Sequence, residues 1–470
     1  MYETIRVNES KTPYLQYFVP FRFDESRFGS INQEFRSATR EGARQTLNVW
    51  EEKPFPCTTD GIYDHVLTTM NIWENKNSIC RSWKYAKPNK IEFVYTDTEY
   101  GDVRFNVTDI YIHLFRTGVG FLSYEISIGK KIKPDPGFFI RFQARAKELA
   151  RKDADLFRIS KSVPETREGS RITEEKIPVI AGETIAVFLR ETSGKIAFFH
   201  TKDQDDYPHK AILFSYLVYQ DPKPENESAQ PKESISVPDN PAVRKDLQGI
   251  TMHMAMGYDQ KHILSEADID SCPELAGNVF YYASQNGCAI SAFPNELNRP
   301  FFVDNTPTAK YSFIFFFVLY QHYSLRNYTM RVSNDFPSNS RVYRKKTRHA
   351  DKMQDYTTNI DTFLMKSDLA TISTVQYNNL YYEKCREALN IEKDIRSLRS
   401  GFESLGNIQQ SMRTSQQRMH DRLLNFFVSG IGLITFAAEY DKISPGVRIA
   451  VFVLAASAAA WYIYHWIRER

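Results

Sequence analysis

At 470 residues the chain exceeds the ~250–300 residues at which a single hydrophobic core stops growing, so two or more structural units are expected. Its 60 basic and 57 acidic residues leave a net charge of +3, which excludes a whole-protein electrostatic case for direct nucleic-acid binding and leaves any such claim to local patches. The five cysteines, Cys57, Cys80, Cys272, Cys288 and Cys385, show no CxxC spacing. That speaks against a zinc site or a dense disulfide framework, and reduced thiols in a cytosolic domain are the economical reading.

The amino terminus, MYETIRVNESKTPYLQYF, lacks a basic segment followed by an apolar run and does not read as a cleaved secretory signal. Residues 90–128 carry strand patterns: IEFVY, VRFNV with apolar residues at alternate positions, IYIHLF and VGFLSYEISI. Gly118 and Gly120 in RTGVG lack the spacing of a phosphate loop and read as a turn between strands. Arg141, Arg145, Lys147, Arg151 and Lys152 then cluster in a predicted helix. Further strands, ETIAVFLR, GKIAFFH and AILFSYLVYQ, make residues 1–220 a mixed α/β domain with a substantial sheet. Residues 221–241, rich in proline and polar side chains, form a linker or long loop, and residues 242–352 a second part of the soluble domain. There YSFIFFFVLY, at Tyr311 to Tyr320, is too short to cross a bilayer and reads as a buried helix or strand. His253, His262, Glu266, Asp268 and Asp270 match neither HExxH nor an EF-hand loop and read as a surface loop. Arg341, Arg344, Lys345, Lys346, Arg348 and Lys352, with Tyr343 among them, form the second basic cluster.

Both basic clusters can attract an anionic nucleotide, with a tyrosine to stack on its base. Arg141, Arg145, Arg341, Tyr343, Arg344 and Lys345 are the candidate ligand-binding residues. Solvated helix faces are the plainer alternative for both, and a collar near acidic lipid a further one for the second. No GxSxG elbow, Walker motif or zinc-deaminase pattern is present, so the sequence offers no reaction and the expectation is a protein that is not an enzyme and requires no cofactor.

Residues 353–422 predict a long helical stalk. Ile391, Ile395, Leu398, Phe402 and Leu405 set a heptad frame that continues through Gln409, Met412, Gln416 and Met419 to Leu423. Glutamine at two core positions fits either a wet axial path or a partly solvated helix pair. Two uncharged runs follow, LLNFFVSGIGLITFAA and IAVFVLAASAAAWYI, which predict transmembrane helices over 423–438 and 447–466. Between them lies an outer loop, 439–446, and after them a basic tail, 467–470. Trp461, Tyr462, Tyr464 and Trp466 gather as interfacial aromatics do, and Arg418, Arg422, Arg468 and Arg470 place both termini in the cytosol of a multi-pass inner-membrane protein. Gln409, Gln416, Asn425, Ser429, Glu439 and Asp441 are the candidate pore-lining residues of an oligomer, with ordinary loop charges as the alternative for the last two.

A large cytosolic domain, a helix descending into a first span, a brief outer loop, a second span and a basic tail together resemble the CorA superfamily of two-span channels. The expected fold is therefore an α+β cytosolic domain followed by stalk helices and a C-terminal two-helix transmembrane hairpin. ITFAAEYDKIS stands where that family has Gly-Met-Asn, so the family's selectivity residues do not carry over. The departure makes the chain similar to the divergent CorA-like membrane effectors of type III CRISPR antiviral defence. That resemblance implies a homo-oligomer, a pentamer, whose cytosolic domain senses a nucleotide second messenger, S-adenosyl-methionine joined to AMP (SAM-AMP), and gates a channel that disrupts the lipid bilayer. The alternatives are a divalent metal cation transporter of the magnesium type with an altered filter, and an anchored receptor without a pore.

Overall fold

The computed structural model describes residues 5–40, 50–73, 78–86, 91–128, 134–149, 158–161, 186, 189, 196–201, 207–220, 241–259, 261–335, 348–403 and the single positions 406, 421, 424, 425, 428, 446, 449 and 453. The chain divides into two compact units, one of residues 1–338 and 352–398 and the other of residues 339–351 and 399–470.

The first unit is built on a mixed sheet. Its strands are β1 (Arg6–Val7), β2 (Tyr14–Arg22), β3 (Trp50–Glu52), β4 (Cys80–Tyr85), β5 (Ile91–Asp97), β6 (Gly101–Phe115), β7 (Val119–Ile128), β8 (Arg158–Lys161), β9 (Ala197–Phe198), β10 (Ile212–Gln220), β11 (Glu274–Ala276), β12 (Val279–Ser284) and β13 (Gly287–Ala292). The main path runs β11-β12-β13-β10-β2-β7-β6-β4-β3, with β5 joining β6 to β8, β9 on β2 and β1 beside β10. Pairing is antiparallel throughout the described strands except between β10 and β13. The helices are α1 (Phe28–Arg40), α2 (Asp64–Thr69), α3 (Pro136–Ala146), α4 (Pro241–Met256), α5 (Glu266–Asp270), α6 (Thr308–Asp335), α7 (Arg348–Ser367) and α8 (Gln376–Ala388), and residues 391–403 are helical as well.

Strand burial explains the sequence pattern. The first half of β6 alternates exposed and buried positions, as a half-covered strand does, whereas its second half and most of β2 and β10 are buried on both faces. One face of β2 sends Tyr17, Val19 and Phe21 into a core shared with Phe138 and Phe142 of α3 and Leu247 and Ile250 of α4. The other face meets α6, where Phe18 stacks on Phe316 with ring centroids 5.3 Å apart and Phe115 on Tyr320 at 4.1 Å. The apolar run 311–320 is thus the buried start of a 28-residue helix, apolar all round because neighbours cover it on every side. VRFNV and IYIHLF, read separately in the sequence, form the single strand β6. ETIAVFLR, expected as a strand, is described only at Ala186 and Leu189, both helical.

The sharp β6–β7 turn depends on its glycines. Gly118 has φ +74°, and a Cβ there would lie 2.6 Å from the Phe23 carbonyl oxygen; one on Gly120 would lie 2.2 Å from the Phe21 ring. This packing sets the loop at Arg116 and Thr117 against the segment after β2.

The expected two-span architecture is corrected. The described protein is α+β with a mixed sheet, and among the described residues no helix is long and apolar enough to cross a membrane. The run Leu423–Ala438 is 16 residues long, short of the roughly 17–25 that a hydrocarbon core requires, and the second expected span, 447–466, includes Arg448. Most of 423–466 lies outside the described residues, and Leu424, Asn425, Val428, Ile449 and Val453 are exposed helical positions. The C-terminal transmembrane hairpin, the multi-pass inner-membrane placement and the membrane-channel character are accordingly set aside. The heptad frame begins as ordinary core: Ile391, Ile395 and Leu398 are buried within the first unit.

Candidate functional site

Arg141 is consumed by the fold. Its guanidinium donates from Nε and Nη2 to the two oxygens of Asp97 at 3.0 and 3.1 Å and to Glu99 at 3.1 Å. Burial alone would raise the Asp97 carboxyl, but hydrogen bonds from Arg141 and from the Glu99 and Tyr100 backbone outweigh it and hold the group below the usual carboxylate range. Arg145, four residues on, sits half-buried in the last turn of α3, where a cation complements the helix terminus. Arg341, Tyr343, Arg344 and Lys345 lie outside the described residues, as do Gln409, Gln416, Ser429, Glu439 and Asp441.

The described histidines and cysteines are taken up by the fold. His253 is buried with Nδ1 2.9 Å from the Gly249 carbonyl oxygen and Nε2 2.8 Å from that of His262, so both ring nitrogens are occupied. Asp268 closes a capping box with Ser265. Among the described residues no group of three or more His, Cys, Asp or Glu side chains is placed to hold a metal ion. His113 lies between Ser82 Oγ, 2.8 Å from Nδ1, and Ser123 Oγ, 2.9 Å from Nε2. This array is sealed under Phe55 and Phe316, and burial pushes the imidazole down to about 3, so it is a neutral polar link inside the core. All five cysteines are free thiols.

The feature with binding chemistry is a groove of about 720 Å³ that the sequence did not disclose. One wall comes from α1, whose positions 28, 29, 32, 33 and 36 recur on one helical face, together with Arg81 of β4 and Arg116 and Thr117 of the β6–β7 turn. The opposite wall is α7, whose Asn359, Thr362, Phe363 and Lys366 follow the same helical spacing, backed by Tyr320 and Tyr328 of α6. The lining carries four cations, Arg36, Arg81, Arg116 and Lys366, against one carboxylate, Glu25. Glu52, behind the wall, is shared by Arg36 at 2.8 Å and Arg81 at 3.0 Å. Arg116 donates from Nε to the Ser78 carbonyl oxygen at 3.0 Å and lies 5.2 Å over the Phe28 ring. Glu25 pairs with Arg331 at 2.7 Å and accepts from Asn359 Nδ2 at 3.1 Å, which offsets its charge. Lys366 is half-buried and makes no ion pair among the described residues.

A second cavity of about 780 Å³ shares Glu25 and Asn359 with the groove. Within it Tyr356 donates to Asp335 at 2.6 Å, and Arg331 covers the Tyr356 ring at 5.3 Å.

The four cations of the groove stand singly at 36, 81, 116 and 366, so a search for basic runs passes over them. The local signals are the helical spacings of Asn359, Thr362, Phe363 and Lys366 and of positions 28, 29, 32, 33 and 36. No protein family, curated protein or solved structure matches the chain.

Proposed function

We propose that the first unit binds a small phosphorylated ligand with a planar ring, of the nucleotide class, in the groove between α1 and α7, and that its role there is sensing without chemistry. The observation that carries this reading is the lining, four cations to one carboxylate with aromatic rings on both walls. Guanidinium groups offer paired donors to phosphate oxygens, and the half-buried Phe28 ring is the lining aromatic a base can reach, Tyr320, Tyr328 and Phe363 being packed into the core. The volume of about 720 Å³ suits a mononucleotide, since small-molecule pockets run roughly 300–1,000 Å³. The lining holds no histidine or cysteine, and its one carboxylate is already paired, which favours binding over catalysis. SAM-AMP, the messenger implied by the sequence resemblance, belongs to this ligand class.

Thermal denaturation of the full chain with AMP, SAM-AMP, inorganic pyrophosphate and adenosine tests the proposal. Ligands that bind only the folded protein raise its midpoint with concentration. The expected result is stabilisation by the phosphorylated compounds and little by adenosine. Equal effects of adenosine and AMP, or none from either, contradict it.

A further inference from the structure

We infer that the bound anion clamps α7 to the wall formed by α1 and β4, with Lys366 as the residue that transmits occupancy of the groove to that helix. The inference rests on the groove reading above and adds to it a regulated element.

Most attachments of α7 are to α6, with one, Asn359 to Glu25, at the segment leading into α1. Tyr356 reaches Asp335 of α6, Phe363 packs on Tyr320 and Tyr328 of α6 with centroids 5.7 and 5.8 Å away, and Ser367 accepts through its carbonyl from Gln321 of α6. Asn359 binds Glu25, and Asp368, just beyond the helix, pairs with Arg386 of α8 at 2.7 Å. Toward α1 and β4 the groove intervenes. There Lys366 on one side meets Arg36, Arg81 and Arg116 on the other, so the two walls carry charge of the same sign. Like charges across a partly desolvated gap resist close approach, and an anion held by both walls removes that resistance and replaces it with charge-assisted hydrogen bonds. A ligand shifts the α7 equilibrium only as far as it prefers the clamped arrangement. Lys366 supplies that preference, because the arginine wall is present whether or not α7 closes on it. Glu25, shared with the second cavity, ties the same helix to Arg331, so a change in α7 is felt on both sides of the Glu25–Asn359 contact.

Amide hydrogen exchange of the full chain, with and without saturating AMP, tests the clamp. In the wild type AMP should slow exchange across residues 356–367 by about fivefold or more and also protect residues 28–36. In Lys366→Met, at an AMP concentration that saturates the variant, protection of 28–36 should persist while that of 356–367 is lost, and Lys366→Arg should restore it. Bound AMP with unchanged exchange in α7 of the wild type, or equal α7 protection in Lys366→Met, overturns the clamp and leaves the groove reading intact. Failure of the wild type to bind AMP, pyrophosphate or SAM-AMP overturns both.

Discussion

Glu125 is the carboxylate most at odds with its surroundings. Burial, followed by the charge of Asp109 directly across the β6–β7 pair, raises it to about 7, against which hydrogen bonds with Thr108 and Tyr14 act only partly. A carboxyl raised in the folded state binds its proton more tightly than in the unfolded chain. Its contribution is favourable below the unfolded value near 4.5 and is lost as pH rises through about 7. Unfolding in urea across pH 4.5–8 should show Glu125→Gln gaining roughly 2–3 kcal/mol on the wild type at pH 8 and nothing near pH 4.5. Asp97 has the opposite sign: lowered by Arg141, it stabilises above its unfolded value and loses that contribution as pH falls toward the folded one. Because the Asp97 side chain is fully buried, Arg141→Met should cost about 3–5 kcal/mol at pH 7 in the same assay, the usual penalty for orphaning a buried charge. Arg141 shows why a basic cluster in sequence is a poor guide to a ligand site. Its partners, Asp97 and Glu99, lie over forty residues away in the chain, so the pairing is invisible until β5 and α3 are placed together.

Among the elements, α6 lies between the sheet and helices α7 and α8. Phe316 touches Phe18, Phe55, Phe115, Phe121 and His113, and Phe316→Ala should cost about 3–5 kcal/mol, read as a lowered denaturation midpoint. Gly118→Ala should destabilise by more than the ~1 kcal/mol typical of glycine replacement, because positive φ and the nearby Phe23 carbonyl both oppose a Cβ. The strands β5, β6, β7 and β10 were legible because alternation and aromatic or β-branched runs report burial directly. The break expected inside β6 was not there, since Thr108 and Asp109 only mark a bulge between Val107 and Asp109. The run at 311–320 was legible as buried, but its type was not: ten apolar residues have no period by which helix and strand differ.

At the scale of the molecule, a near-neutral chain holds a groove whose lining carries four cations to one carboxylate, with Glu52 pairing two of the cations from behind the wall. The groove was illegible in the sequence because it is assembled from α1, β4, the β6–β7 turn, α6 and α7, and its four cations come from four of these elements, one each. The membrane expectation erred for a related reason. A 16-residue uncharged stretch falls just short of a full span, and an apolar run need not mark a membrane, as the one at 311–320, packed inside protein, shows. The central claim is that the groove between α1 and α7 binds phosphate through its cations, and calorimetric titration of AMP into the full chain tests it most directly, comparing wild type with Arg36→Glu and Lys366→Glu at low and high salt. The account predicts saturable binding to the wild type that weakens with salt, and about tenfold or greater loss in each reversal, as expected from losing a charge-assisted hydrogen bond worth ~1.5–3 kcal/mol. Binding of equal strength in the wild type and both variants, or no binding to the wild type at either salt concentration, would contradict it.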